Sequence, residues 1–392
     1  MKYLPLSFCL LLSIACFSQN LTEAARITTF CRVWGFLKYH HPSVAKGRFD
    51  WDKQFMENLP VISKCRTKDE VNNFYDKWIT NLGRLKPGSR RVPPRNAILT
   101  NYNNDWIRDT AVFTGRMTEL LTLVQNNSRS KNHYVTRRYL GLSAASYVNE
   151  NKFKDSIDPS ASLRLLTLAR YWNIVNYFYP YKYLTDTDWE EVLAESVREF
   201  TQAESLDKYH FALQKLFTKV NDSHTRLSFA VQNSEYSIPS FRFKIIDDKI
   251  VILDAYNDSI CRKYDLRYGD VIQSINGKPV RTIIEHYANL IPASNYASLC
   301  RRLTSQLIWS DISDSAVITF GRDGHVSDKR IMIYPLSVLF KKVPLSQRQS
   351  MPRATVINHQ VFERRIGYIN LGLVRSKNEI KSILNKMRQT DA

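Results

Sequence analysis

The 392-residue chain carries 56 Lys and Arg against 37 Asp and Glu, a formal net charge of +19, with 44% apolar and 12% aromatic residues but only 12 Gly and 14 Pro. At roughly 100–200 residues per domain this length allows about two to four cored domains, and the composition excludes wholesale disorder, a collagen-like repeat and a low-complexity array. Six Cys are too few for a disulfide-framework miniprotein, and no apolar run is long enough to cross a bilayer as a helix, which excludes a polytopic membrane protein.

The chain opens with Lys2 and a mostly apolar stretch from Leu4 to Phe17. That stretch is too short to span a bilayer and has the shape of a signal-peptide core. The reading is therefore an exported protein, periplasmic or at the cell surface, with residues 1–18 removed after Ser18. Ser13-Ile14-Ala15-Cys16 is a degenerate lipobox, with Ser where an aliphatic residue usually stands, so plain export is preferred to a lipid anchor at Cys16. Export leaves Cys31, Cys65, Cys261 and Cys300 in an oxidising compartment, either as buried thiols or as disulfides. No Cys/His spacing suggests zinc, and neither a metal nor another cofactor is expected. Bases gather at Arg84, Lys86, Arg90, Arg91 and Arg95. No nucleic-acid recognition motif stands behind that charge, so a solvated face or attraction to anionic surfaces is expected instead.

Residues 31–82 and 169–220 align without gaps at an offset of 138, with ten of 52 positions identical, including Arg32/Arg170, Trp34/Trp172, Pro42/Pro180, Asp50/Asp188 and Trp51/Trp189. Repeats of this length define architecture. Each copy reads as three helices. Ile27, Phe30, Cys31, Trp34 and Leu37 form an i, i+3, i+4, i+7 stripe, matched by Leu165, Leu168, Ala169, Trp172 and Val175. Pro42 and Pro180 stop this first helix, and Asp50 and Asp188 cap the second. Cys31 and Cys65 both replace Ala of the other copy, the one hint of a disulfide. The copies part where the third helix ends: Leu82-Gly83-Arg84-Leu85-Lys86 in one, Val220-Asn221-Asp222-Ser223-His224-Thr225 in the other. A shared frame with one rewritten corner is where a site is expected.

From about Tyr236 the period changes to that of strands. Phe241 to Ile245 alternates, Asp247-Asp248 turns, and Lys249 to Leu253 forms an apolar strand. The stretch Leu266-Arg267-Tyr268-Gly269-Asp270-Val271-Ile272-Gln273-Ser274-Ile275-Asn276-Gly277 resembles the PDZ signature, with Asn-Gly at a tight turn where both residues take positive φ. A helix with Ile283, Ile284, Tyr287 and Leu290 follows, then strands at 317–320 and 331–334 around a turn expected at 321–329. The resemblance implies capture of a peptide end by strand addition beside Phe241 to Ile246, with Ser240, Phe241, Arg242 and Phe243 as the peptide-binding residues. Pro239-Ser240 replaces the usual Gly-rich carboxylate loop, so the same module used as a spacer or lid stays open.

Signal peptide, helical region, Asp-Ser-His-Thr, PDZ-like module and then Ile366-Gly367-Tyr368-Ile369-Asn370-Leu371 come in an order that resembles the tail-specific, or C-terminal-processing, serine peptidases and their tricorn-like relatives, from about residue 160 onward. The resemblance implies that the Gly-Tyr-Ile strand and a helix over 377–388 open the peptidase core. It also implies that Ser223-His224 is the upstream Ser-His pair of the Ser/His design, with His224 as general base; a Ser/Lys design stays open. The nucleophilic Ser would follow later than Ala392, so the sequence reads as truncated and inactive on its own. The local alternative for Asp222 to Thr225 is a plain turn. No Gly-x-Ser-x-Gly, His-Glu-x-x-His or phosphate loop occurs.

The expected fold class is multidomain α+β. A first helical unit with the basic loop and extra helices covers 19–155, a second with Asp-Ser-His-Thr covers 156–235, a PDZ-like domain covers 236–336, and the start of the peptidase core covers 337–392. Expected partners are polypeptide substrates or protein C-termini, with no nucleic acid, no integral membrane span and an open oligomeric state. The rival is a non-catalytic peptide-binding adaptor. A weaker third, glycan binding through the repeated Trp, conflicts with their place on apolar stripes.

Overall fold

The computed structural model describes residues 21–391 except 88–94, 98, 102, 129–130, 138–144, 154–157, 228–236, 304–307, 310–311, 313, 336–337, 340–357 and 364. The expected signal stretch with Cys16, and Arg90 and Arg91 of the basic cluster, lie outside the described residues. The chain is a multidomain α+β protein that divides into two units, Met1–Val231 with Glu285–Arg302, and Gln232–Ile284 with Leu303–Ala392.

The first unit is helical. Its helices α1 (Glu23–His40), α2 (Trp51–Lys64) and α3 (Lys68–Asn81) are followed by a 3-10 turn at Asp105–Arg108 and α4 (Gly115–Asn126). A short ribbon of β1 (Val135–Arg137) and β2 (Ala145–Tyr147) precedes α5 (Ala161–Phe178), α6 (Trp189–Thr201) and α7 (Leu206–Thr218). Each of the six principal helices starts where a side-chain oxygen meets an orphan N–H. Thr22, Asp50 and Thr67 cap α1, α2 and α3; Ser160, Asp188 and Ser205, each 138 residues on, cap α5, α6 and α7. The apolar stripes are buried: Phe30, Trp34, Leu37 and Phe55 on one side, Leu168, Trp172, Leu193 and Val197 on the other.

Both sets share one internal lock. Trp34 Nε1 donates to Trp51 O at 3.0 Å and Trp51 Nε1 to Trp34 O at 3.1 Å; Trp172 and Trp189 make the same exchange at 2.6 and 3.1 Å. Each buried indole N–H thus finds a carbonyl on the neighbouring helix, which can accept beside its own intrahelical bond. The sets also reach across to each other. Arg32 of α1 pairs with Glu190 of α6, and Arg170 of α5 pairs with Asp52 of α2. Gly35 lets α1 approach α5, because a Cβ there would collide with the buried Asn173 side chain, whose Nδ2 donates to Cys31 O at 2.9 Å.

Cys31, Cys65, Cys261 and Cys300 are thiols rather than disulfides, so the two Ala-to-Cys positions do not form a bridge. Cys31 is fully buried, and burial pushes its thiol far above the ordinary range, which suits an inert core thiol.

The second unit holds a short ribbon of β3 (Ser237–Ile238) and β10 (Tyr334–Pro335) and centres on an antiparallel sheet in the order β4 (Phe241–Ile246), β5 (Lys249–Ala255), β6 (Val271–Ile275), β8 (Ser315–Arg322), β9 (His325–Met332), with β7 (Lys278–Pro279) on β6. Three tight turns have both central residues at positive φ: Asp247-Asp248 (48° and 59°), Asn276-Gly277 (50° and 74°) and Asp323-Gly324 (49° and 81°). This geometry matches the twist of the flanking strands. The segment 321–329, expected as a loop, is the β8–β9 hairpin with only Asp323-Gly324 turning. Most of β9 is solvent-exposed as an edge strand, so it lacks the alternating apolar pattern by which strands are read.

The Gly-Asp pair has a structural reason. Gly269 takes φ 88°, and the buried Asp270 carboxylate accepts from Arg322 Nε at 2.6 Å and from Arg267 N at 2.8 Å. The short helix α8 (Asp258–Lys263) follows β5, α9 (Val280–Ala288) crosses the division between the units, and α10 (Tyr296–Arg302) belongs to the first. Near the C-terminus, β12 (Ile366–Ile369) pairs antiparallel with β11 (His359–Phe362), followed by α11 (Lys377–Lys386).

Candidate functional site

The rewritten corner lies just past the end of α7. Asn221 adopts φ 53°, a left-handed position that Asn tolerates, and its side chain ties to Asp186, donating from Nδ2 at 2.7 Å and accepting from Asp186 N at 3.2 Å. Asp222 then closes a turn: its carbonyl accepts from Thr225 N at 3.0 Å, and its Oδ1 accepts from His224 N at 2.8 Å. The same Oδ1 stands 2.9 Å from His224 Nδ1. The imidazole is 96% exposed, whereas the carboxylate that orients it is mostly covered. Neutral His224 therefore carries its proton on Nδ1 toward Asp222, leaving Nε2 as the outward-facing lone pair.

Ser223 points away from that pair. Its Oγ accepts from Ser294 N at 2.9 Å and lies 3.0 Å from Ser294 Oγ, while its N–H donates to Ser294 Oγ at 3.0 Å. Arg302 locks the same turn, donating to Ser223 O and Pro292 O at 2.6 Å each and to Thr225 O at 3.1 Å. Ser223 is thus bonded to the 285–302 segment rather than to His224. Sequence reading missed Ser294 and Arg302: they lie 71 and 79 residues further on, in a stretch with no motif.

Asp222 and His224 stand on the wall of an open cavity of about 710 Å³. Tyr179, Tyr181, Leu184 and Asp186 form one side, and Ile291, Tyr296 and Leu299 another. A concave site of this size, with apolar and polar groups in similar measure, suits a peptide-sized or smaller organic ligand. Burial and the nearby Asp222 carboxylate both push the Tyr179 and Tyr171 hydroxyls upward, so these phenols stay protonated at neutral pH.

The expected peptide-binding residues lie at the start of β4. Ser240 is buried, its carbonyl accepting from Tyr256 N at 2.6 Å and Asn257 N at 3.2 Å. Phe241 is fully buried against Trp309, with ring centroids 6.2 Å apart. Arg242 is exposed and paired with Asp254, and Phe243 is half-buried. The register shifts between Arg242 and Phe243, a bulge on the β5 side. Among the described residues β4 pairs only with β5.

Among the described residues no three His, Cys, Asp or Glu side chains converge as metal ligands, and no helix is long and apolar enough to cross a membrane. No family model and no curated protein matches the chain. One solved structure, the photosystem II D1 C-terminal processing protease, is similar at 14% identity and a TM-score of 0.25, over 45% of this chain and 44% of that one. The match therefore spans less than half of that structure's length.

Proposed function

We propose that this chain belongs to an exported serine-type peptidase of the tail-specific kind, acting on polypeptides at the periplasm or cell surface, with Asp222 and His224 as its proton-handling pair. One observation carries the reading: the 2.9 Å contact of Asp222 Oδ1 with His224 Nδ1, on a turn pinned by Arg302, with the imidazole open to solvent beside the cavity. A carboxylate that holds an imidazole in one tautomer and stabilises its cation is the supporting half of a Ser-His-Asp relay. Nε2 would take the proton of an attacking serine and return it to the leaving amine. In this reading the acyl group passes to a Ser that is not among these 392 residues, and Ser223 positions the turn through Ser294.

The remaining parts follow the same reading. The two three-helix sets are copies of one unit, supported by the matched caps, the twin Trp exchanges and the crossed Arg–carboxylate pairs. Residues 236–336 are a PDZ-like module, supported by the Asn276-Gly277 turn and the buried Asp270, and the β12 strand opens the catalytic core.

The test uses the protein as its own cells make it: labelling by a fluorophosphonate and turnover of fluorogenic peptides, wild type against His224→Gln. General-base loss should lower kcat by roughly 10²–10⁴-fold with KM little changed. Peptide turnover indifferent to His224→Gln and to Asp222→Asn would overturn the assignment. The edge of β4 that no described strand covers favours a second reading, a non-catalytic peptide-binding adaptor. That reading is supported by saturable peptide binding without fluorophosphonate labelling.

A further inference from the structure

We propose that the cavity beside His224 takes a Lys or Arg side chain of a polypeptide, with Asp186 as the carboxylate that selects it. The inference rests on the peptidase reading for the reaction and on the cavity walls for the charge preference. Two carboxylates line the cavity, Asp186 and Asp222, and no Lys or Arg stands among its described lining residues, although bases outnumber acids 56 to 37 in the chain. Each carboxylate commits one oxygen to the turn. Asp186 Oδ2 accepts from Asn221 Nδ2 at 2.7 Å, and Asp222 Oδ1 accepts from His224 N at 2.8 Å and faces His224 Nδ1. Among the described residues neither carboxylate pairs with a Lys or Arg.

The cations close in sequence are engaged elsewhere. Arg302 donates to the carbonyls of Ser223, Pro292 and Thr225, and Lys182 Nζ donates to Asn176 Oδ1 at 2.6 Å. The remaining walls suit a long cationic side chain. Tyr179 and Tyr181 meet edge to face with centroids 6.0 Å apart, and Tyr181 and Tyr296 are each more than half exposed. Open ring faces attract an ammonium or guanidinium. Leu184, more than half exposed on the same cavity, offers apolar surface to the methylene stem.

The alternatives fare worse on the same walls. An acidic side chain would meet two like charges. A purely apolar one would cover carboxylates without giving them a partner, which costs free energy. A cation satisfies the carboxylates and the rings together. The net charge of +19 opposes it only at long range, because exposed charges are screened beyond about 8 Å at physiological ionic strength. Asn221 ties Asp186 to the turn that carries Asp222 and His224, accepting from Asp186 N at 3.2 Å as well as donating to its carboxylate. Charge selection is thereby held next to the imidazole, so the bond cleaved lies close to the Lys or Arg.

Calorimetric titration of the whole protein with the N-acetyl methylamides of lysine, arginine, norleucine and glutamate reads binding without turnover, and fluorogenic peptides carrying the same four residues read turnover. The lysine or arginine compound should bind roughly tenfold or more tighter than norleucine, and glutamate should not bind. Asp186→Asn should cut the lysine-to-norleucine ratio by roughly five- to tenfold, and Asp186→Glu should keep most of it. The ratio is taken within one variant, so a general loss of folded protein cancels. The inference is overturned if none of the four binds, if norleucine or glutamate binds as tightly as the cations, or if the ratio is indifferent to Asp186→Asn. Lysine binding that depends on Asp186, with no peptide turnover, supports this inference and sinks the peptidase reading. Turnover that depends on His224 without preference for Lys or Arg does the reverse.

Discussion

Replacing Asp52 with Ala should destabilise the helical unit far more than replacing Glu190 with Ala, although the two carboxylates occupy matching places 138 residues apart. The difference is burial. The Asp52 side chain is 7% exposed and its partner Arg170 17%; Glu190 is 36% exposed and Arg32 19%. Asp52 grips Arg170 at two points, Oδ1 accepting from Nε at 3.1 Å and Oδ2 from an Nη, and Oδ2 also accepts from Asn151 N at 3.2 Å. Without it the guanidinium keeps Asn151 O at 3.0 Å, a looser approach of Glu150 at 3.6 Å and the face of the Phe153 ring at 5.5 Å. Removing one member of a buried pair costs about 3–5 kcal/mol because the other charge stays desolvated. A partly exposed pair is nearer the surface value, so Glu190→Ala should cost about 1 kcal/mol. Trp fluorescence reads this unit directly, since Trp34, Trp51, Trp78, Trp106, Trp172 and Trp189 lie in it and only Trp309 lies in the other. With a urea slope of roughly 2 kcal/mol per molar, the Asp52→Ala midpoint should fall by about 1.5–2.5 M. The apolar double variant Asp52→Leu with Arg170→Met should recover most of that loss. Equal midpoints for the two single variants, or a double variant as weak as Asp52→Ala, would refute the burial argument.

Burial lowers the imidazoles of His40 and His41 from their ordinary 6.5 to about 4, so the unfolded chain takes up these protons first. Stability is then full above about pH 6.5 and lost as pH falls toward 4, by up to about 3 kcal/mol per ring. Urea midpoints from pH 7.5 to 4.5 should show this fall, and His41→Gln should flatten it. Gly35→Ala drives a methyl into Asn173 and should cost about 1–3 kcal/mol in thermal unfolding, partly restored by Asn173→Ala. Gly277→Val places a β-branched residue at φ 74° and should cost about 1–3 kcal/mol, seen as faster hydrogen exchange of the β6 and β8 amides.

What the sequence makes legible is what local spacing determines. The six principal helices start at Thr, Ser or Asp caps and carry 3.6-residue stripes, so their limits can be read within a residue or two. The Asn276-Gly277 turn declares itself because few residue pairs adopt its φ values. The Asp222–His224 contact spans two residues, so it too is within reach of a linear reading. The crossed ion pairs are not. Arg32 and Glu190 are 158 residues apart, and their pairing follows only once α1 and α5 pack at Gly35. The strand β11 gives little periodic signal because its apolar residues are shared between two partly exposed faces.

A cavity of about 290 Å³ between Asn101, Asn103 and Asn104 and the end of α5 shows the limit most clearly. The run Asn101 to Asn104 reads as a polar turn by composition, and a turn is what most such runs form. Its character depends on which amide oxygens are already taken, by Tyr183, Asp105 and Lys182, and on one nitrogen left buried without a partner. Donor–acceptor balance is a property of the folded arrangement. An arrangement of neutral amides therefore leaves no charge pattern for a sequence reading to find.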